Sequence, residues 1–208
     1  MINKIRKLNR VVVLLTLTDM FTWGPLIIIS ALAGIYLGRK LNTDVVDIVG
    51  IGTAIYFLTR AIFQLPLGYI TDKIERDTDE IIILSLGVIL MGLPFFFYPN
   101  ITQPYHFYIL QFIFGLGVSL NVTNWRKLFA TNLDQGKEGK QYAFYETLMS
   151  LSTAILSTLV GIVANLGDTY FDMVMRGSSV LIMLSCIYVA SIYFVTHRKS
   201  KNVNEIRL

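Results

Sequence analysis

The 208-residue chain has a single cysteine, Cys186, so it can form no internal disulfide and no multi-cysteine metal site. Charge is scarce: 15% of residues are Asp, Glu, Lys or Arg, against roughly 25% in ordinary soluble domains. The two histidines, His106 and His197, stand at the edges of apolar runs, which is no place for a buried proton relay. There is no G-x-x-x-x-G-K-[ST] loop, so nothing supports an ATP-driven pump. The apolar stretches also lack alternation. Ile81-Ile82-Ile83-Leu84 and Leu93-Pro94-Phe95-Phe96-Phe97 do not show the period of two that a membrane β-barrel requires.

What is present is long and apolar. The set AVILMFWYC makes up 54% of the chain, and the mean hydropathy is +0.58. That composition excludes disorder and argues against a soluble domain. A membrane-crossing helix needs ~20 residues, so the length holds about six spans and not twelve. The runs between stops predict spans at about 11–37, 45–70, 81–98, 105–124, 142–166 and 173–195. The expectation is an all-α polytopic membrane protein of six transmembrane helices. Residues 1–10 form a cytoplasmic N-terminal segment, 11–197 the bundle and 198–208 a polar cytoplasmic tail. The first span is too long for a cleavable signal peptide and has no small-residue cleavage site after it.

Orientation follows from Lys and Arg. With the N-terminus inside, the inside segments hold Lys4, Arg6, Lys7 and Arg10; Lys73 and Arg76; Arg126, Lys127, Lys137 and Lys140; and Arg198, Lys199, Lys201 and Arg207. The outside segments hold Arg39, Lys40 and Arg176 alone. Both termini are therefore expected in the cytoplasm of a cell-membrane protein. The net charge of +4 is explained by this rule and calls for no nucleic-acid partner.

Ionisable groups inside a bilayer are costly and normally face the bundle interior or a wet cavity. Asp19, Arg60 and Glu146 fall in the first, second and fifth spans, and the fourth carries Gln111, Asn121 and Asn124. Spans 1, 2, 4 and 5 are thus expected to line something polar, and 3 and 6 to face lipid. Asp19, Arg60, Gln111, Asn121 and Glu146 are the candidate solute or ion contacts, although Glu146 lies close enough to its helix end to reach the interface. With the first outside turn centred near residue 40 or 41, Asp19 and Arg60 come to nearly the same depth, where they can form an ion pair or share a site. Pro25 and Pro66 can bend their helices. Gly34 and Gly38, a GxxxG spacing, suggest close helix packing, and Trp23 and Trp125 read as packing or interfacial anchors.

Gly68-Tyr69-Ile70-Thr71-Asp72-Lys73-Ile74-Glu75-Arg76, in the inside loop after the second span, resembles the signature loop of the major facilitator superfamily, G-x-x-x-D-[RK]-x-G-[RK]. Gly68, Asp72, Lys73 and Arg76 match in type and spacing, whereas Glu75 stands where the family usually has Gly. Gln111 to Gly117 also resembles the family's fourth-helix segment, with Gln111 where many members carry an Arg associated with proton coupling. Leu133 to Gly139 looks like family loops, but the Gly-Pro-rich pattern of many antiporters is missing from the fifth span. The resemblance covers nearly the whole chain and only one six-helix half of the usual twelve. It implies a loop that acts in conformational change, and a cavity lined by helices 1 and 4 and their repeats.

Other six-span architectures lack their residues: a rhomboid-type protease needs a His inside the bundle, an aquaporin needs Asn-Pro-Ala, and a mitochondrial-type carrier needs three P-x-[DE]-x-x-[KR] segments. Two function classes remain. One is a secondary transporter of a small solute, working by alternating access and completed by a second copy of itself; the other is a non-transporting scaffold, or the remnant or N-terminal half of a twelve-helix transporter. Neither needs a cofactor, a metal or an enzymatic activity, and the expected surroundings are the lipid bilayer. The topology is checked with single cysteines at Lys4, Asn42 and Asn204 in a Cys186→Ser background. An impermeant reagent applied to intact cells is expected to label the Asn42 site alone; labelling at either other site overturns the orientation.

Overall fold

A computed structural model describes residues 9–73 and 77–205. Within them lie α1 (Arg10–Leu41), α2 (Val46–Lys73), α3 (Asp77–Phe97), α4 (Pro104–Thr131), α5 (Glu138–Ala164), α6 (Asp168–Leu184) and α7 (Cys186–Glu205). A 3-10 turn, Tyr98–Asn100, follows α3. Six helical stretches are long and apolar enough to cross a membrane, the sixth running through α6 into α7. Helices are the expected form, because hydrocarbon offers the backbone no hydrogen-bond partner outside the segment itself.

Helix ends are set locally. The Asn9 side chain accepts from the Val11 N–H at 3.1 Å and so caps the start of α1. Asn42 ends the same helix in the left-handed region, at φ 50°. Gly167, at φ 144°, makes the turn into α6. Asn9 also donates to the Asn132 carbonyl beyond α4, which puts the start of α1 and the end of α4 on one face of the bundle. We call this the Arg10 face and the opposite one the Asn42 face.

The spans pack in an exchange. α1 packs against α5, α6 and α7, and α4 packs against α2 and α3. Taken as triplets, 1–3 and 4–6, each triplet's first span lies on the other's second and third, while α1 scarcely touches α2. The two groups are joined where α3 meets α6 and α7. The result is an open arc, α2–α4–α3–(α6, α7)–α1–α5, in which α1 and α4 face each other at few points.

Glycines make the closest crossings. A Cβ on Gly87 would lie 2.7 Å from the backbone N of Asn121, and one on Gly117 would lie 2.7 Å from the backbone of Leu90 and Met91. Gly115 meets the Tyr56 carbonyl of α2, and Gly92 meets α6, whose Ser179 hydroxyl donates to the Gly92 carbonyl at 2.8 Å. The anticipated Gly34–Gly38 contact is looser: their nearest neighbours are side-chain atoms of Val49 and Val45, at 3.9 and 3.7 Å.

Burial within the single chain is uneven. The third span is half buried and the sixth 33% buried, whereas the second and fifth are only 17% and 11% buried. Gly87 and Gly92 draw α3 inward, and α2 and α5 leave most of their surface uncovered by this chain. α1 and α2 run through Pro25 and Pro66, and the sixth span is interrupted at Ser185. The buried Ser185 hydroxyl donates to the Ile182 carbonyl at 2.7 Å and lies 2.7 Å from the Thr22 hydroxyl of α1. One boundary is corrected: α4 does not stop at about 124 but runs to Thr131. Lys127 is used inside the bundle: its ammonium reaches Glu80 of α3 at 2.5 Å and the Thr71 carbonyl of α2 at 2.7 Å.

The glycine crossing is testable by thermal unfolding in detergent. Gly117→Ala is expected to cost roughly 1–3 kcal/mol, as overpacking does. Gly161→Ala, with nothing within 4 Å of its Cβ, should be neutral or slightly stabilising; equal melting of the two variants would refute the close crossing.

Candidate functional site

Asp19 is 3% exposed, in the half of α1 nearer the Arg10 face. One carboxylate oxygen accepts the Tyr145 hydroxyl of α5 at 2.9 Å, and the other has no hydrogen-bond partner. Across from it on α4, Asn121 is fully buried, and neither its amide oxygen nor its amide nitrogen has a partner. Gly87 allows α3 to press on the backbone of Asn121. A cavity of about 130 Å³ lies between α1, α4 and α5, lined by Asp19, Trp23, Asn121, Val122, Trp125, Arg126 and Tyr145. Burying a polar atom without a hydrogen bond is costly, so three such atoms around one cavity mark it as the chief candidate site.

Its aromatic wall is fixed by neighbours. The Trp125 indole N–H donates to the Leu15 carbonyl of α1 at 3.1 Å, and its ring stacks on Phe129 at 4.6 Å. Tyr145 is tilted against Trp125 at 5.1 Å. Trp23 borders a second cavity too, of about 300 Å³, lined by aromatic side chains of α1, α2, α3 and α4. There Gln111 donates to the Tyr98 hydroxyl at 3.3 Å.

Asp19 and Asn121 are therefore brought together, and Gln111 lines the neighbouring cavity. Arg60 is not brought to Asp19. It donates to the Tyr56 hydroxyl at 3.1 Å and lies over the rings of Tyr56 and Phe57. The turn after α1 spans residues 42–45, not 40–41; Asp19 then lies about eight residues farther from it than Arg60, or about 12 Å in depth. Glu146 is exposed and lines neither cavity. Of the loop motif, Gly68, Asp72 and Lys73 belong to the last turns of α2 rather than to a loop. Asp72 is exposed, Lys73 lies over the Tyr69 ring at 4.3 Å, and Arg76 falls outside the described residues.

Sequence reasoning missed Tyr145, Trp23, Trp125 and Arg126 as cavity residues, since aromatics and a span-edge arginine look like anchors. It also missed the pair that buried Glu80 makes with half-buried Lys127. The one available signal was an acidic residue, Glu80, directly before the apolar run that begins at Ile81.

A family model described as Major Facilitator Superfamily matches residues 12–208. The chain belongs to this superfamily. No match is found among curated proteins or among solved structures. The superfamily is one of membrane transporters, and the six spans with their exchanged triplets make up one half-domain of its architecture. The cavity beside Asp19 lies between α1, α4 and α5 of this half.

Separation of Asp19 from Arg60 predicts independence. In thermal unfolding, the effects of Asp19→Asn and Arg60→Gln are expected to add within roughly 0.5 kcal/mol. A double variant markedly milder than the sum would restore the ion pair.

Proposed function

We propose that the chain is a secondary transporter of the cell membrane that carries a small solute by alternating access through the Asp19 cavity. The observation that carries this reading is the set of buried, unpartnered polar atoms of Asp19 and Asn121 in a cavity between spans 1, 4 and 5. Groups of this kind inside a membrane are substrate or ion contacts by default. In this reading the Arg10 face is cytoplasmic, in keeping with the distribution of Lys and Arg.

The transporting unit is a homodimer. α2 and α5 end the arc, and each carries an exposed apolar stripe: Leu58, Ile62, Leu65 and Tyr69 on α2, Leu151, Ile155, Leu159 and Ile162 on α5. The halves of superfamily members are parallel repeats about an axis along the membrane normal. A second copy in the same orientation therefore sets α2 of each protomer beside α5 of its partner and closes the cavity. Exposed Asp72 then faces the start of the other α5, near Gly139, where a helix N-terminus favours an anion by roughly 0.3–2 kcal/mol.

Two measurements test the reading. In proteoliposomes screened with labelled solutes, uptake is expected to saturate, and a folded Asp19→Asn variant should lose it. Cysteines replacing Asp72 and Gly139 in separately tagged chains should crosslink. Absence of saturable flux removes the transport reading, and flux from a strictly monomeric particle in nanodiscs removes the dimer.

A further inference from the structure

The chemistry around Asp19 selects what it binds. We propose that the cavity takes the ammonium head of a small organic cation; the inference rests on the transport reading and names its substrate class. Asp19 forms no salt bridge with any described residue. Of its two oxygens, only one is satisfied, by the Tyr145 hydroxyl. The groups that face it are Trp23 from its own helix, Asn121, Trp125 and Arg126 from α4, and Tyr145 from α5. The single cation among them, Arg126, is exposed at the cavity's edge and is not within salt-bridge distance of Asp19. A desolvated carboxylate with a free oxygen attracts a positive group, and the Asn121 amide oxygen is a second free acceptor beside it.

The walls decide which positive group. A hard metal ion takes six to eight oxygen ligands, or a strict octahedron that keeps several waters. This cavity offers one carboxylate, one amide oxygen and one phenol, and no cluster of metal-ligating residues occurs among the described residues. Its remaining surface is mainly aromatic. The Trp125 N–H is committed to Leu15 and the Tyr145 hydroxyl to Asp19, so both residues offer ring surface rather than free donors. Aromatic surface beside a carboxylate suits an alkylated ammonium, which gains from cation–π attraction and needs few hydrogen bonds. A sugar would require many more donors and acceptors, and an anion would meet Asp19. The volume of about 130 Å³ suits a head group of this size.

The chain carries its own reporter, because its two tryptophans, Trp23 and Trp125, both line this cavity. The full chain in nanodiscs is titrated with choline, with tetramethylammonium and with 3,3-dimethylbutan-1-ol, the uncharged isostere of choline, at constant ionic strength in sodium chloride. Saturable change in tryptophan fluorescence and a raised melting temperature are expected with both ammonium ions and not with the alcohol. In Asp19→Asn, choline should bind about thirtyfold more weakly or worse, the loss expected when a desolvated charge is deprived of its partner. An equal response to the alcohol, no response to either ammonium ion, or unchanged choline binding in a folded Asp19→Asn variant overturns the proposal. Should Asp19→Asn fail to fold, the comparison of choline with its isostere on the unaltered chain still decides. Choline binding without flux keeps the site and removes the transport reading. Flux of a neutral or anionic solute without an ammonium response does the reverse.

Discussion

The fold depends on how closely α3 and α4 approach. In a bilayer an apolar side chain gains little by leaving lipid for protein, so association rests on close packing and on hydrogen bonds between helices. Gly87 and Gly117 let the two backbones meet with no side chain between them. On another side of α4, Gly115 admits the backbone of α2 at Tyr56. α4 thereby becomes the hub of its group, and its remaining polar face, with Asn121, is left to α1. The site follows from the crossing, because the residue against which Gly87 packs is the one whose amide borders the Asp19 cavity.

The exchange of triplets explains where the cavity lies. α1 and α4 each find their neighbours in the other triplet, and the two meet each other only sparsely. What holds them in register is polar: the Trp125 N–H on the Leu15 carbonyl, and Asn9 on the Asn132 carbonyl. α1 is tied in the same way to the elements behind it, through Tyr145 to α5 and through Ser185 to the sixth span. Near the Asn42 face, Lys40 and Tyr36 both reach Asp172 of α6, and Arg39 lies 3.5 Å from Asp168. These pairs at the Asn42 face are partly or well exposed and contribute little stability; they fix which turn of α1 faces α6.

The six spans were legible because runs of this length and apolarity have no other stable form in a bilayer. Asp19 and Asn121 were legible as candidate contacts because polar residues in such runs must face inward. Ends and depths were not, because a charge reads as a stop unless its partner is known. Lys127 looks like the end of a span, yet Glu80 and the Thr71 carbonyl hold it within the bundle. A turn placed three residues too early put Asp19 level with Arg60. Tyr145 and Trp125 are indistinguishable in sequence from interfacial anchors, and only the crossing of α1, α4 and α5 makes them a wall.

The exchanged packing also orders the protein's biogenesis. α1 is synthesised first, and its main neighbours, α5, α6 and α7, are synthesised last; the hydroxyl that meets Asp19 comes 126 residues after it. Contacts of such sequence separation form late and slowly. α2, α3 and α4 need no later span for their mutual packing, and Lys127 arrives just in time to satisfy both Glu80 and the end of α2. The earliest packed unit in the membrane is then the middle of the chain. α1 waits beside it with a carboxylate in hydrocarbon until the fifth span arrives. During that interval the nascent protein is most exposed to quality control, and its vulnerability lies in the first helix to be made.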